Sequence, residues 1–422
     1  MSYDLGTVVK KVSADKLTFN ENEFDPTPSF DTAYKNVQQF EAEKSLAVEG
    51  DTLLHHSISL GNGSAAPILD KLQADLNNPA PISQTPAIYD VSNLNAGVDT
   101  SSPNAGTAQA APTTQDKIDA LLSHSGTITS AAGKTLYINN NSKLEVNNGT
   151  WTNGDAKNAA NIQLSFSGKN TGNLHVGAGA TDADGNAVES AAKLDFGTGT
   201  LTVKAGCVKV GHEDADAKKV LYAELDLSKA KIDTSSAKTT VHFSVQDKGL
   251  LKLDGEQLGK FTVSGSKVAT RIGAGGTLEA VHGNVDGSQL VHDRLDLLTG
   301  KINFTGTKDK TATLYSHGLN VNKADNGIEI GEYNTLKSNY LNFRVTDANK
   351  SAELKSGNYV ANLALSSSGD NVTNKATSNI NVNDKAHLIL GQVTQDVDGN
   401  YLGSKADYSN SGDASGMINV YF

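Results

Sequence analysis

Proline is confined to one part of this chain. All eight prolines lie between Pro26 and Pro112, and residues 113–422 contain none, although Gly, Asn and Asp are frequent there. Proline cannot donate a hydrogen bond to a β-ladder and is restricted to sheet edges and bulges. A long proline-free region of short apolar segments therefore predicts strands that are paired on both sides.

The hydrophobic pattern after residue 125 has the period of two that half-buried strands show. Val241, Phe243 and Val245, for example, alternate with polar residues. Asn-Gly and Asp-Gly pairs, which favour tight turns, separate such segments, and no helical pattern of useful length occurs among them. The apolar content of 37% is low for one large globular core and indicates thin cores. We expect residues 126–422 to form a β-rich shaft.

A loose repeat runs through this shaft. In each copy a leucine opens a strand, a glycine follows within six residues, and a bulky residue stands two places after the glycine. The copies are Leu144 with Gly149 and Trp151, Leu201 with Gly206 and Val208, Leu278 with Gly283 and Val285, Leu354 with Gly357 and Tyr359, and Leu388 with Gly391 and Val393. This pattern lets a strand turn from one face of a β-solenoid rung to the next. Because the copies are irregularly spaced, we predict a mainly β protein with an irregular β-solenoid, and tandem β-sandwiches remain the alternative.

Three stretches of the shaft carry a family resemblance. Residues 133–140, 149–153 and 197–203 resemble the β-helical passenger regions of autotransporter adhesins and the β-solenoid shafts of phage fibres and spikes. An autotransporter begins with a secretory signal and ends in a membrane barrel, and we find neither pattern. A phage fibre combines an N-terminal attachment region with a β-rich shaft. The resemblance therefore implies a virion component.

The first part of the chain, residues 1–125, predicts a different structure. We expect three short helices, one capped by Asp31 with Tyr34, Val37 and Phe40 on one face, one after Ser64 with Ile68, Leu69, Leu72 and Leu76, and one from Thr114 to Leu122. A linker rich in Pro, Ala and Asn separates the last two. Helices this short need a partner surface. We interpret the region as an N-terminal docking arm, and a flexible leader without a specific role is the alternative.

Charge and composition exclude several classes of function. The formal net charge of -11 argues against nucleic-acid binding, which needs clustered basic side chains. The only cysteine, Cys207, excludes an internal disulfide framework and a thiolate zinc cluster, and we expect it to be a small core residue. No segment has the apolar length of a membrane span. The first residues lack the pattern of a secretory signal, so we expect release by lysis or by a signal-less route.

Two loops offer oxygen ligands of the kind that calcium prefers. They contain Asp182 with Asp184 and Asp396 with Asp398, each followed by a glycine and an asparagine. A calcium hand needs a downstream bidentate glutamate and more acidic positions than these loops provide. Asp-Gly is also a standard hairpin turn, which is the reading we favour while the calcium alternative stays open.

Candidate catalytic groups are sparse. Carboxylate pairs for glycoside cleavage can be drawn from Glu224 with Asp226 or Asp293 with Asp296, but nothing selects them over other acids. The ten histidines lack zinc-ligand spacing, His212 lies in an acidic turn, and Trp151 is the only tryptophan available to stack on sugars. We therefore predict no catalytic residue, no cofactor and no bound metal.

The prediction is a non-enzymatic structural protein at a virion surface, such as a phage fibre, spike or capsid decoration. Residues 1–125 would dock on other virion or cell-surface proteins, and the shaft would project. Exposed sheet edges favour association of identical chains, with a homotrimer as the first guess and a host-surface glycan as a further partner. The alternatives are a bacterial surface-layer protein or adhesin secreted without a signal, and a polysaccharide-cleaving spike.

Overall fold

The structure is a computed structural model, and it is mainly β with long parallel sheets. It describes residues 11–19, 39–54, 57–61, 69–71, 73, 111–139, 142–154, 159–165, 171–262, 265–281, 285–286, 302–321, 324, 327–338, 341–343, 351–361, 365–366, 380–390, 393–395, 401–403 and 418–419.

The secondary-structure elements are numbered in chain order. The strands are β1 (Lys11–Phe19), β2 (Gln39–Val48), β3 (Thr52–Leu54), β4 (Ser57–Leu60), β5 (Ser125–Ser130), β6 (Thr135–Ile138), β7 (Lys143–Val146), β8 (Gly149–Asn153), β9 (Asn161–Leu164), β10 (Gly172–Val176), β11 (Ala180–Thr181), β12 (Ala187–Val188), β13 (Ser190–Asp195), β14 (Thr200–Val203), β15 (Gly206–Val210), β16 (Val220–Leu227), β17 (Lys231–Asp233), β18 (Val241–Val245), β19 (Gly249–Asp254), β20 (Val268–Gly273), β21 (Thr277–Val281), β22 (Val285–Asp286), β23 (Ile302–Thr305), β24 (Ala312–Ser316), β25 (Leu319–Val321), β26 (Ile328–Glu329), β27 (Asn334–Ser338), β28 (Leu341–Phe343), β29 (Ala352–Ala361), β30 (Leu365–Ser366), β31 (Ile380–Leu390), β32 (Val393–Gln395), β33 (Tyr401–Gly403) and β34 (Ile418–Asn419). The helices are α1 (Thr114–Leu122) and α2 (Gly255–Thr262).

The strands stack in parallel ladders. Ladder A contains the first half of β1 and of β2, followed by β4, β7, β10, β15, β18, β20 and β23. Ladder B contains the second half of β1 and of β2, followed by β5, β8, β13, β16, β19, β21, β24, β27, β29 and β31. Ladder C contains β3, β6, β9, β14 and β17, and ladder D contains β22, β25, β28 and β30. Beside the end of ladder B, β26 pairs with the first half of β29, which pairs with the start of β31, and β34 pairs with β31.

The chain visits the ladders in a fixed order. Strands β7, β8 and β9 belong to ladders A, B and C, and β10, β13 and β14 form the next such trio directly above them. Two short antiparallel hairpins, β11 with β12 and β32 with β33, are additions to this pattern. Tandem β-sandwiches are built from antiparallel sheets, so the parallel pairing does not match that alternative.

One continuous apolar core receives the inward side chains of every ladder. In ladder A, the fully buried Leu144, Leu174, Val208 and Phe243 occupy matching positions on four neighbouring strands. Parallel register places like side chains one above another, so each trio adds a layer to the same core. The alternation predicted for Val241 to Val245 is confirmed, because its three apolar side chains all face inward and are buried.

The leucine–glycine repeat marks turns between ladders. Gly149, Gly206 and Gly357 have φ angles of 81°, 114° and 111°, in the left-handed region that favours glycine. Gly149 stands between ladders A and B, whereas Gly206 follows the turn from ladder C to ladder A. The copies are irregularly spaced because they occupy different turns. Gly283 and Gly391 lie outside the described residues.

The N-terminal region differs from the prediction. Phe40, expected on a helix with Tyr34 and Val37, lies in strand β2 together with Leu46 and packs into the main core. That helix prediction is therefore wrong over the described part, and Asp31, Tyr34 and Val37 lie outside it. The three-residue spacing up to Phe40 fits a helix, but the alternation of Phe40 with Ala42 fits a strand equally well. Parallel pairing with β1 and β4 selects the strand. The parallel ladders thus include strands from residue 11 onward, within the range predicted as the arm.

Two helices lie outside the strand pattern. The predicted helix from Thr114 to Leu122 is confirmed as α1, with a capping box between Thr113 and Asp116. Of the predicted second helix, Leu69 is helical, and Ile68, Leu72 and Leu76 lie outside the described residues. No helix was expected in the shaft, but α2 forms after Asp254, whose carboxylate accepts hydrogen bonds from two amides of the first turn.

In the chain order, helix α2 stands where the preceding trio has the ladder C strand β17 and the next has the ladder D strand β22. Leu258 and Phe261 are spaced for one helix face and are both buried, and the Phe261 ring lies 4.9 Å from that of Phe243. A helix of eight residues with only two large apolar side chains is too short to give a clear periodic signal in the sequence. Packing against the core stabilises it instead.

Candidate functional site

The outward face of ladder B carries the densest group of interacting polar side chains that we find in the described chain. We call it the ladder B face and define it by six residues on six neighbouring strands. They are Lys193, Glu224, Lys252, Glu279, Tyr315 and Lys337. Neighbouring parallel strands lie about 4.8 Å apart, so these side chains are within reach of one another.

Glu224 is the centre of the lower half of the face. Its side chain points away from the core and yet is buried, with a relative exposure of 4%. The Tyr222 hydroxyl donates a hydrogen bond of 2.5 Å to Oε2. The ammonium groups of Lys252 and Lys193 lie 2.9 and 3.2 Å from Oε1, close enough for ion pairs but outside hydrogen-bond geometry.

The electrostatics of this cluster keep Glu224 ionised. Burial raises the pKa of the carboxyl, but the Tyr222 hydroxyl and the two lysines outweigh it, and the net shift of the pKa is downward. Burial and the neighbouring carboxylate raise the pKa of Tyr222, which stays protonated and donates. A carboxylate held in this way is a poor general acid at neutral pH. The cluster serves packing and charge compensation rather than proton transfer.

Helix α1 covers part of the lower half of the face. Leu121 and Ala191 are buried against each other, with Ile118, Leu122 and Tyr222 packed around them. Lys117 of the helix also forms a 2.8 Å ion pair with Glu189. The apolar side of α1 is therefore used within the chain, and the ring of Tyr222 is held between the helix and the Glu224 carboxylate.

The upper half of the face is more open. His317 Nε2 lies 3.1 Å from a carboxylate oxygen of Glu279, and the His317 ring is 5.5 Å from that of Tyr315. The Lys337 ammonium lies 5.2 Å from the centre of the Tyr315 ring, within the range of a cation–π interaction. Tyr333, the most exposed large hydrophobic residue of the described chain, is at the turn before β27. This half can contact a partner through an aromatic ring and groups of both charges.

The candidate carboxylate pair Glu224 and Asp226 lies on one strand, β16, and points to one side. Asp226 does not face Glu224 across a gap, because its Oδ1 accepts hydrogen bonds from the amide and hydroxyl of Ser228 at the end of the strand. The structure thus gives these two acids separate structural roles. Asp293 and Asp296 lie outside the described residues.

The Asp182 loop is a hairpin turn joining β11 to β12. Asp182 Oδ1 accepts hydrogen bonds from the amides of Asp184 and Asn186, and Oδ2 accepts one from the Asn186 side chain. These bonds lower the pKa of Asp182 and occupy the oxygens that a calcium ion would need. Within the described chain no three acidic, histidine or cysteine side chains are grouped to hold a metal. Asp396 and Asp398 lie outside it.

The remaining candidates are structural where they are described. Burial raises the pKa of Cys207 to about 11, so the thiol is unreactive near neutral pH. Trp151 is fully buried in the core and cannot stack on a sugar. His242 is exposed, and His124 bonds the Glu43 carbonyl oxygen. His212 lies in a turn, as predicted, and stacks on His175.

Comparison with known proteins gives no relative: no family model matches the chain, and neither a curated protein nor a solved structure is similar to it. Within the described ranges, no helix has both the length and the apolar character needed to cross a bilayer.

The ladder B face could not be found from the sequence. Its members are scattered over six strands, and only the parallel register brings Lys193, Glu224 and Lys252 together. The one local signal is Tyr222–Glu224–Asp226 on alternate positions of a strand, which places polar groups on one side but names no partner.

Proposed function

We propose that this chain is a non-enzymatic structural protein of a virion surface, in which the parallel ladders wind into one β-solenoid shaft. The observation that carries the proposal is the order of the strands. Each trio from ladders A, B and C stacks on the trio before it, and all of them share one apolar core. A coil of this kind grows in one dimension and serves as a spacer.

Three acids of the described chain have structural partners, and this supports the structural reading. Glu224 is neutralised by Lys193 and Lys252, and Asp226 caps the end of its strand. Asp247, a further buried acid, is paired with Lys310. Catalytic acids and bases need a pKa near the working pH and access to a substrate. The pKa of the buried Glu224 is lowered, and the other two acids are engaged in structural contacts.

The shape of the particle tests the solenoid. Ladder B contains twelve strands joined by the pairings from β1 to β31. At about 4.8 Å per strand, the stack would be about 50 Å long. Electron microscopy or small-angle scattering of the purified chain should give a narrow rod at least that long. A compact sphere, or separate beads, would contradict the solenoid.

The location of the protein tests the virion assignment. Virus particles and cell envelopes from the source organism can be separated on density gradients and analysed by quantitative mass spectrometry. We expect this chain to sediment with capsid proteins in fixed proportion. Recovery in the cell-envelope fraction alone would favour the surface-layer or adhesin alternative, and recovery only in the soluble cell fraction would overturn both.

Association of identical chains is part of the proposal, with a trimer as the first expectation. Within the described chain, strand β1 pairs with β2 alone. Its other edge can therefore pair with a second chain. Light scattering coupled to gel filtration gives the number of chains directly.

The predicted docking role of residues 1–125 can be tested in the same particles, since deletion of that range should abolish incorporation. The substitution Ile118→Ser alone weakens the packing of α1 on ladder B, so it shows whether loss of incorporation comes from the missing docking arm or only from displacement of α1.

The upper half of the ladder B face supports a glycan as a further partner. Tyr315, His317 and Lys337 present a ring, an imidazole and an ammonium close together. Binding can be measured with purified host polysaccharide, using Tyr315→Ala as the variant. If the same preparation released reducing sugars, the polysaccharide-cleaving alternative would replace the structural one. Dissolution of ordered arrays by a calcium chelator would instead favour a surface layer.

A further inference from the structure

Residues 211–219 form a covering segment between strands β15 and β16, and we refer to them as the 211–219 segment. Its amides of Lys218 and Lys219 bond the carbonyl oxygens of Asp214 and Asp216, so the segment consists of consecutive turns. Its two ends are held to the strands, because the Gly211 amide bonds the Val176 carbonyl oxygen and the Lys219 carbonyl oxygen accepts from the Ser190 amide, and Ala215 within it is buried. The His212 amide bonds the Asp247 carbonyl oxygen, and Asp216 pairs with Lys310.

His175 is the titratable group that this segment covers. It lies on the outward face of β10, where side chains are expected to be solvated, but its relative exposure is 8%. Its Nε2 donates a hydrogen bond of 2.9 Å to the carbonyl oxygen of Gly211, the first residue of the segment. The ring of His212 stacks on it with centroids 5.9 Å apart and planes 17° from parallel.

The groups around the histidine pair are mainly basic where they face His175. Lys209 and Glu145 occupy the matching positions on the strands above and below, and Lys143 is the next outward residue below. The groups around His212 are Glu213, Asp214 and Lys218 of its own segment. Glu145 is already paired with Lys143 at 3.4 Å. A proton on His175 would therefore add a charge to a buried position between two lysines and a second imidazole.

We propose that the 211–219 segment is an acid-sensitive latch, which closes over His175 near neutral pH and opens when His175 takes up a proton. Opening removes the stacked His212 ring and lets water reach the imidazole. Between its bonded ends, residues 212–218 form no ladder with a strand, so this part can open without unfolding the ladders on either side. Such a latch would act wherever the protein is located.

The size of the effect follows from proton linkage. Burial first, and the positive charges of Lys209, His212 and Lys143 in addition, lower the pKa of His175 from 6.5 to about 4, against the opposing effect of the Gly211 bond. In the open segment the imidazole would regain its ordinary pKa. The lowered pKa favours the closed, neutral state, and that preference weakens as pH falls below 6.5. Opening should become about thirty-fold more frequent at about pH 5 than at about pH 7.5.

Hydrogen exchange measured by NMR tests the latch residue by residue. The amides of His212, Lys218 and Val220 report the segment, and the amide of Phe243 in β18 reports the ladders. After correction for the intrinsic exchange rate, protection of the first three should fall about thirty-fold over that pH range while Phe243 keeps its protection. An equal fall at all four amides, or no fall at the first three, would overturn the latch.

Three variants assign the effect to the histidine pair. His175→Gln keeps a donor for the Gly211 carbonyl but cannot be protonated, so its segment should stay protected at about pH 5. His212→Phe keeps a ring for stacking and cannot take up a proton, so its pH response should be weaker but present. His242→Gln changes an exposed histidine on β18, two strands from His175 in ladder A; it is the control and should respond like the unmodified chain. Direct NMR titration of the His175 ring checks the cause, and an ordinary pKa near 6.5 would also overturn the proposal.

Discussion

Gly126 lies directly against the indole ring of Trp151, and a methyl group added at Gly126 would come within 2.6 Å of three ring carbons. The two residues occupy matching positions on β5 and β8, so glycine leaves the space that the ring fills. Trp151 is fully buried, and its Nε1 donates a 3.0 Å hydrogen bond to the carbonyl oxygen of Asn148. The only tryptophan of the chain is thus a core residue with a fitted partner.

This relationship predicts coupled mutations. Gly126→Ala should destabilise the chain by about 1–3 kcal/mol because the methyl group cannot be accommodated beside the ring. Trp151→Leu alone should cost about 3 kcal/mol through lost burial. In the double variant the alanine methyl occupies part of the vacated space, so the two costs should be less than additive. Chemical denaturation of the four chains measures the coupling, and strict additivity would show that the ring does not rest on Gly126.

Replacing a turn glycine by alanine should cost more stability at Gly206 than at Gly133. Gly206 has a φ angle of 114°, and a Cβ atom there would lie 1.9 Å from the carbonyl oxygen of Gly172 on the neighbouring strand. Gly206→Ala should therefore cost at least about 3 kcal/mol, from backbone strain and overlap together. Gly133 has a φ angle of 76° with open space around it, so Gly133→Ala should cost only about 1 kcal/mol. Equal melting temperatures for the two variants would contradict the close approach at Gly206.

Strands and turns are predicted well from local patterns, because the alternation of apolar and polar residues within one strand shows which of its sides faces the core. Val241, Phe243 and Val245 are inward as the alternation indicates, and Gly149 and Gly206 are turn residues as the repeat indicates. At Phe40 the same reasoning fails, because one short segment fits both a helix and a strand and pairing with β1 decides.

The register between neighbouring strands cannot be predicted from such local patterns. It depends on how much chain is inserted between successive ladders, as in the long excursion between β4 and β5 that includes α1. Glu224 was identified only as one acid among many, since its partners Lys193 and Lys252 are brought to it by neighbouring strands. The cover over His175 likewise comes from a turn segment whose position follows from tertiary packing.

The buried Asn153 should stabilise the fold through its hydrogen bonds rather than through apolar packing. Asn153 is fully buried; its Nδ2 donates to the carbonyl oxygens of Ala160 and Phe196, and its Oδ1 accepts from the Ala160 amide. Asn153→Ala leaves these backbone groups unpaired and should cost about 2–4 kcal/mol. The exposed neighbour Thr152 is the matched control, and Thr152→Ala should change stability by less than about 0.5 kcal/mol.

Asn153→Asp refines that test through its pH dependence. The ionised carboxylate would face two carbonyl oxygens without a donor, so the variant should be markedly unstable at neutral pH. Protonation restores one donor, and burial beside the carbonyl oxygens raises the folded pKa of the new carboxyl, so the difference from the unmodified chain should shrink as the pH falls towards the ordinary aspartate pKa. Thermal unfolding of both chains across that range gives the result, and a pH-independent difference would argue against the hydrogen bonds to Ala160 and Phe196.

The Glu224 cluster predicts a pH-dependent contribution to folding. The folded pKa of Glu224 is lowered from its ordinary value of 4.5, so the stabilisation is fully present above that value and is lost as pH falls through the folded pKa. Glu224→Gln should destabilise the chain by about 2 kcal/mol at neutral pH, because Lys193 and Lys252 lose their counter-charge. The gap from the unmodified chain should close in acid, where both side chains are neutral. Glu49→Gln, at an exposed glutamate, serves as the control, and urea denaturation over the acidic range should show no comparable gap for it. If Glu224→Gln matched that control at neutral pH, the carboxylate would contribute no net ion pairing to the ladder B face.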